Sequence, residues 1–247
     1  MNKCIRNYFM GTRQMLSNFL NKKNKPKIDL SVNNKSTEFE INKWETSEFI
    51  IDKILPITGF SPYPLDELML MVGSLCRFKP THIFEWGTHI GKSARIFYET
   101  INYFDIESTI HSFDLPDDID HVEHPHEQRG KLVKGLNKVH LYQEDGLIKS
   151  FDIFRESTVA NKRAFFYLDG DHSYETVHHE LTTILRKMPD AIVLLHDTFY
   201  QSEDSQYNIG PFKAIDVVLA GSTILYKRVE TKMGLPGMTL IYKSQNP

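Results

Sequence analysis

Four apolar runs, each ending in an acidic residue, constrain this chain more than any other feature. They are Ile83-Phe84-Glu85, Thr109 to Asp114, Phe165-Phe166-Tyr167-Leu168-Asp169 and Ile192 to Asp197. Continuous apolar runs mark strands covered on both faces, as in a parallel sheet, whereas a half-exposed strand alternates. Helical periodicity between the runs gives a strand–helix alternation. The pattern predicts strands near 82–86, 109–114, 138–143, 163–168 and 191–196. Helices are expected over 65–78 and near 91–103, 147–158, 174–188 and 209–220. Ser222 to Val229 and Met238 to Tyr242 read as strands joined by the short link 232–237, which fits an antiparallel hairpin. The expected fold class is α/β, a doubly wound, mostly parallel sheet ending in that hairpin.

Open α/β sheets bind ligands outside the carboxyl ends of their strands, where all four acids fall. Any single strand-end acid is more often a helix cap, but four in succession point to a site. The turn Gly87-Thr88-His89-Ile90-Gly91-Lys92-Ser93 admits three ligands. A dinucleotide turn needs G-x-G-x-x-G, and only Gly87 and Gly91 are present. A P-loop needs one residue more between glycines; Lys92 and Ser93, with Asp169 or Asp197 on magnesium, would then make a nucleotide-phosphate enzyme. The third arrangement is Glu85 before the turn and Asp114 at the next strand end. A carboxylate there can accept both hydroxyls of an adenosine ribose, and a P-loop has no use for it. Asp145, after the third strand, is either an adenine-side contact or a helix cap.

The segments FEWGTHIGKS, HSFDLPD, YLDGDHSYE and VLLHDTF follow in order over residues 83–199. In them the chain resembles the class I S-adenosylmethionine-dependent methyltransferases, most closely the small-molecule and sugar O-methyltransferases of the macrocin and mycinamicin type. The resemblance implies a Rossmann-like methyltransferase fold and S-adenosylmethionine as cofactor, held by Glu85, Gly87, Thr88, His89, Gly91, Ser93, Asp114 and Asp145. The wider superfamily often has a glycine where this chain has His89. The resemblance also implies a catalytic base at His172, assisted by Asp169, and a divalent metal on Asp169 and Asp197. An acidic residue often precedes the second of these; here it is His196. Magnesium prefers oxygen ligands, so His196 points to a softer ion, a water in its place, or no metal. Apart from the resemblance, His172 reads as a cap of the following helix or a partner of Asp171. The implied acceptor is a hydroxyl of a sugar or other small polyol. A non-catalytic cofactor-binding module is the remaining alternative.

At 247 residues the chain has room for one large domain and an extension. Residues 1–37 are expected to form an N-terminal helix and a basic linker, and 38–247 the methyltransferase domain. The helix carries Ile5, Tyr8, Phe9, Leu16, Phe19 and Leu20, and would dock on its own domain, on a second copy in a homo-oligomer, or on a membrane surface. A net charge of −3 gives nucleic acid no bulk attraction. Two distant cysteines, Cys4 and Cys76, suit a reducing compartment. No apolar run reaches membrane-spanning length or forms a signal-peptide core, so a cytoplasmic location is expected. The cluster Asp120 to His126 matches no zinc spacing and is expected to be a solvated loop, a candidate lid over the cofactor.

Overall fold

One seven-stranded sheet carries the site. In the computed structural model, which describes residues 32–33, 36–116, 126–205 and 207–244, the strand order is β3-β2-β1-β4-β5-β7-β6. The strands are β1 (His82–Trp86), β2 (Thr109–Phe113), β3 (Val139–Tyr142), β4 (Ala164–Leu168), β5 (Ile192–His196), β6 (Tyr226–Glu230) and β7 (Met238–Lys243). The first five are parallel, and β7 runs antiparallel to both β5 and β6. This is the doubly wound sheet with a terminal hairpin that the sequence pattern predicts. The expected helix over residues 1–20, most of the linker and Cys4 lie outside the described residues.

Burial on both faces explains why the central strands are apolar without alternation. Every residue of β1, β4 and β5 is buried. On one face Ile83, Phe165, Tyr167 and Leu194 pack with α3 (Leu65–Phe78) and α4 (Lys92–Tyr103). On the other, Phe84, Phe166, Leu168 and Val193 pack with α6 (Tyr174–Lys187) and α7 (Ile209–Ala220). Each such large side chain contributes about 1.5–3 kcal/mol on removal from water. Ahead of them α1 (Lys43–Phe49) runs through a π-helical turn, Ile50–Ile54, into α2 (Leu55–Thr58). The second crossover helix in chain order, α5 (Gly146–Glu156), links β3 to β4.

Helix α3 shows how the local sequence sets these elements. Leu68, Met71, Val72 and Leu75 recur on one face and are fully buried. Asp66 and Glu67 stand in the first turn, where the helix dipole favours negative charge. The helix ends at Lys79, which takes a left-handed conformation (φ 44°) immediately before Pro80. One strand differs from expectation. β6 starts at Tyr226 rather than Ser222, because the Ser222 hydroxyl accepts the Ile224 N–H at 3.1 Å and donates to its carbonyl at 3.0 Å. That local turn withholds the segment from the ladder.

Register then positions the chemistry. Trp86 lies level with Phe113 and Leu168, and Leu168 with Leu195. The ladder continues one residue further: Gly87 N–H donates to Phe113 O and Asp169 N–H to Trp86 O. Gly87, Asp114, Asp169 and His196 therefore emerge together at one sheet edge. This edge is where strand order reverses between β1 and β4, the usual ligand crevice of such sheets.

Candidate active site

The crevice is an open cleft of about 1100 Å³. That is at the upper end for ligand pockets, roughly 300–1,000 Å³, and leaves room for a cofactor and an acceptor together. Thr88, His89, Ser93, Asp114 and Asp145 line one part of it, and Asp169, His172, His196 and Asp197 another.

The glycine turn is shaped by neighbouring backbone. Gly87 has φ 104°, and a Cβ on it would lie 2.2 Å from the Asp169 carbonyl oxygen. Gly91 has φ 83°, and its Cβ would press on Val133 at 2.8 Å. Both glycines are thus demanded by the turn's own packing. His89 also lies in the left-handed region, at φ 44°. A glycine would sit there without strain, which accounts for the superfamily preference. The His89 carbonyl accepts Gly130 N–H at 2.7 Å, and its N–H donates to Asp114 Oδ2 at 3.0 Å. Arg129 Nε stands 3.2 Å from the same oxygen. Asp114 Oδ1 accepts Leu115 N–H at 2.8 Å. A carboxylate accepts about four hydrogen bonds, so Asp114 retains capacity for a ligand hydroxyl.

Two expected cofactor residues sit differently. Glu85 does not line the cleft; it is fully buried beneath the turn, accepting from Ser112, whose hydroxyl also meets Thr88 at 2.7 Å. Its Oε1 has no hydrogen-bond partner. Burial pushes its carboxyl up to about 8, against the hydroxyls of Ser112 and Ser93. Asp145 caps α5, accepting Leu147 N–H at 2.8 Å and Ile148 N–H at 3.2 Å, while still lining the cleft. Both readings of Asp145 therefore hold at once. Lys92, the phosphate-binding candidate, reaches across to the Ser61 carbonyl instead.

The acceptor end is a cluster of acids and histidines. Asp169 Oδ2 accepts the hydroxyls of Tyr63 at 2.9 Å and Tyr167 at 3.1 Å. Asp169 Oδ1 faces His196 Nδ1 at 3.0 Å. Asp197, in a left-handed conformation (φ 56°), accepts from Tyr207 at 2.9 Å through Oδ1 and faces His196 Nδ1 at 3.3 Å through Oδ2. Burial pushes the Asp169 carboxyl up, but His196, His172 and Tyr63 hold it well below the carboxylate range. Burial likewise disfavours charge on His196, yet Asp169, Asp197 and Glu67 raise it well above an ordinary histidine.

His172 lies over the two aspartates. Its Nδ1 is 3.4 Å from Asp197 Oδ2, and its Nε2 is 3.7 Å from Asp169 Oδ1. The second distance is an ion-pair contact; Nε2 has no hydrogen-bond partner. Burial lowers the His172 pKa, and the two aspartates more than compensate, so it rises above 6.5. Capping of α6 falls instead to Ser173, whose Oγ accepts Thr176 N–H at 3.3 Å. Asp171 accepts from Ser173 N–H and Thr176, not from His172.

Among the described residues, Asp169, His172 and Asp197 bring one donor atom each within 4.8 Å of the others, a spacing a metal ion could use. His196, expected as a ligand, is not one of them. Both its ring nitrogens are engaged with carboxylates: Nδ1 as above, and Nε2 with Glu67 Oε2 at 3.2 Å. The expected trio nonetheless stands together, with His196 Nδ1 3.0 Å from Asp169 Oδ1 and 3.3 Å from Asp197 Oδ2.

Tyr63, Glu67, Tyr167 and Tyr207 complete the cluster without having been singled out in the sequence. The Asp120–His126 cluster lies outside the described residues except for the backbone of a short turn, His126–Gln128.

Residues 84–198 match the family described as "Methyltransferase domain". That stretch holds all four strand-end acids, and the fold around it is that of the class I S-adenosylmethionine-dependent methyltransferases. The Podospora anserina methyltransferase PaMTH1, solved with S-adenosylhomocysteine, is similar at 16% identity and a TM-score of 0.51, over 99% of this chain and 97% of that one. A Bacillus cereus O-methyltransferase, also bound to S-adenosylhomocysteine, shows 13% identity and a TM-score of 0.52 over 93% and 97%. No curated protein sequence matches the chain. No helix among the described residues is long and apolar enough to cross a membrane.

Proposed function

We propose that the protein transfers the methyl group of S-adenosylmethionine to a hydroxyl oxygen of a small molecule, a sugar or other polyol. The observation that carries this reading is one cleft with two chemically distinct ends. Asp114 and the glycine turn form one end; His172, Asp169 and Asp197 form the other. Both structural relatives named above carry S-adenosylhomocysteine. One feature suits that cofactor: Asp114 keeps unused acceptor capacity for ribose hydroxyls.

When bound, the cofactor supplies an electrophilic methyl on a positive sulfur. The chain's task is to align the acceptor oxygen and remove its proton. His172, a partly exposed ring that lines the cleft, is the proposed base. Asp197 beside Nδ1 holds the ring and stabilises the imidazolium once the proton is taken. Asp114 and the glycine turn would hold the cofactor, which would supply the methyl group to the acceptor oxygen. The proton ends on His172. The sugar or polyol acceptor rests on the resemblance of the strand-end motifs to the sugar O-methyltransferases.

Labelled S-adenosylmethionine incubated with panels of sugars, phenols and amines tests this. Label in an acid-stable, base-stable ether of a sugar or polyol is expected. Transfer to amines alone would reject the oxygen acceptor.

A further inference from the structure

We propose that Arg129 is a positioning residue for the cofactor: its guanidinium holds the Asp114 carboxylate so that Oδ1 stays open to a ribose hydroxyl. This role presupposes the methyl-transfer reading above, in which Asp114 receives the ribose. Both residues line the cleft, and Arg129 Nε stands 3.2 Å from Asp114 Oδ2. The two side chains are 11% and 18% exposed, so water screens this pair less than a surface ion pair. Oδ2 also accepts the His89 N–H at 3.0 Å. Among the described residues, Oδ1 accepts the Leu115 N–H alone, at 2.8 Å. A carboxylate oxygen offers about two lone pairs, so the unfilled one lies on Oδ1. A guanidinium suits this task better than an ammonium, because its donors are fixed in one plane.

The backbone beside Arg129 is built against the glycine turn. Gly130 N–H donates to His89 O at 2.7 Å, and Leu132 N–H to Ile90 O at 3.0 Å. Arg95, on α4, donates through Nη1 to Leu132 O at 3.0 Å. Val133 packs where a Cβ on Gly91 would fall, and a Cβ on Gly130 would meet Leu141 at 2.5 Å. Arg129 therefore extends from backbone fixed to the same turn whose His89 N–H shares Asp114 Oδ2. Without the guanidinium, each carboxylate oxygen would keep one backbone partner, and little would distinguish the two. The ribose would then have to hold the carboxylate itself, at a cost in side-chain entropy. Arg129 lies outside the strand-end motifs, so no pattern in the sequence marks it.

Titration with S-adenosylhomocysteine and with its 2′-deoxy and 3′-deoxy analogues tests the clamp without any turnover. The wild-type chain should prefer the intact ribose over at least one analogue by about 10–100-fold, the span for a hydrogen bond to a charged group. Arg129→Gln should weaken S-adenosylhomocysteine by about 10-fold and shift that analogue by no more than about twofold, so the preference shrinks. In an Asp114→Ala background, Arg129→Gln should cause no further loss. Equal weakening of all three ligands, or a full additional loss on top of Asp114→Ala, would overturn the proposal and leave Arg129 a structural role. Should Arg129→Gln fail to fold, Arg129→Lys keeps the charge without the planar fork. A reduced ribose preference in that variant supports the clamp, and a wild-type preference overturns it. A chain that binds none of the three ligands rejects the methyl-transfer reading together with the clamp. Binding with a ribose preference indifferent to Arg129 rejects the clamp alone.

Discussion

His172 is the residue whose chemistry is most exposed to test. Its base form is the neutral ring, and Asp169 and Asp197 hold its pKa above 6.5. Methyl transfer should therefore rise with pH through a midpoint above 6.5 and then level off. His172→Gln should lower kcat by about 10²–10⁴-fold, the usual span for general-base loss. Asp197→Asn removes an acid that raises this pKa, so the midpoint should move down. An acid-side midpoint unaffected by either change would assign the base elsewhere. The strand-end acids and His172 were legible in sequence because each follows an apolar run or a glycine turn. Glu67 was not. Its partner His196 is 129 residues away, and locally it reads as an acid favoured by a helix dipole. Tyr63 and Tyr207 were hidden for the same reason: their roles depend on Asp169 and Asp197, which fold brings to them.

At the scale of elements, the glycine turn is the rigid part. Gly87→Ala would place a methyl carbon against the Asp169 backbone, not against a side chain that can swing away. Overpacking and an L-residue at positive φ together should cost roughly 2–5 kcal/mol. Urea unfolding should show a midpoint lowered accordingly, and a loss under about 1 kcal/mol would mean that β1 and β4 can separate at little cost. Strands β1, β4 and β5 were legible within a residue because burial on both faces leaves them uniformly apolar. The π-helical turn at Ile50–Ile54 was not, since its Leu55 N–H to Ile50 O bond leaves no mark in hydrophobic periodicity. The start of β6 was misplaced because a serine side-chain turn outcompetes the ladder over residues 222–225.

For the whole molecule, strand reversal between β1 and β4 gathers residues from four strand ends into one cleft. The methyltransferase and phosphate readings of the glycine turn diverge there. In the first, Asp114 receives ribose hydroxyls; in the second it has no task, and Lys92 should be free for phosphate rather than bound to Ser61. Calorimetric titration with S-adenosylhomocysteine and with ATP, on wild type and Asp114→Ala, tests that difference most directly. One S-adenosylhomocysteine should bind per chain, and Asp114→Ala should weaken it by about 1–3 kcal/mol through lost charge-assisted hydrogen bonds. Tight binding of ATP with no binding of S-adenosylhomocysteine would contradict the account.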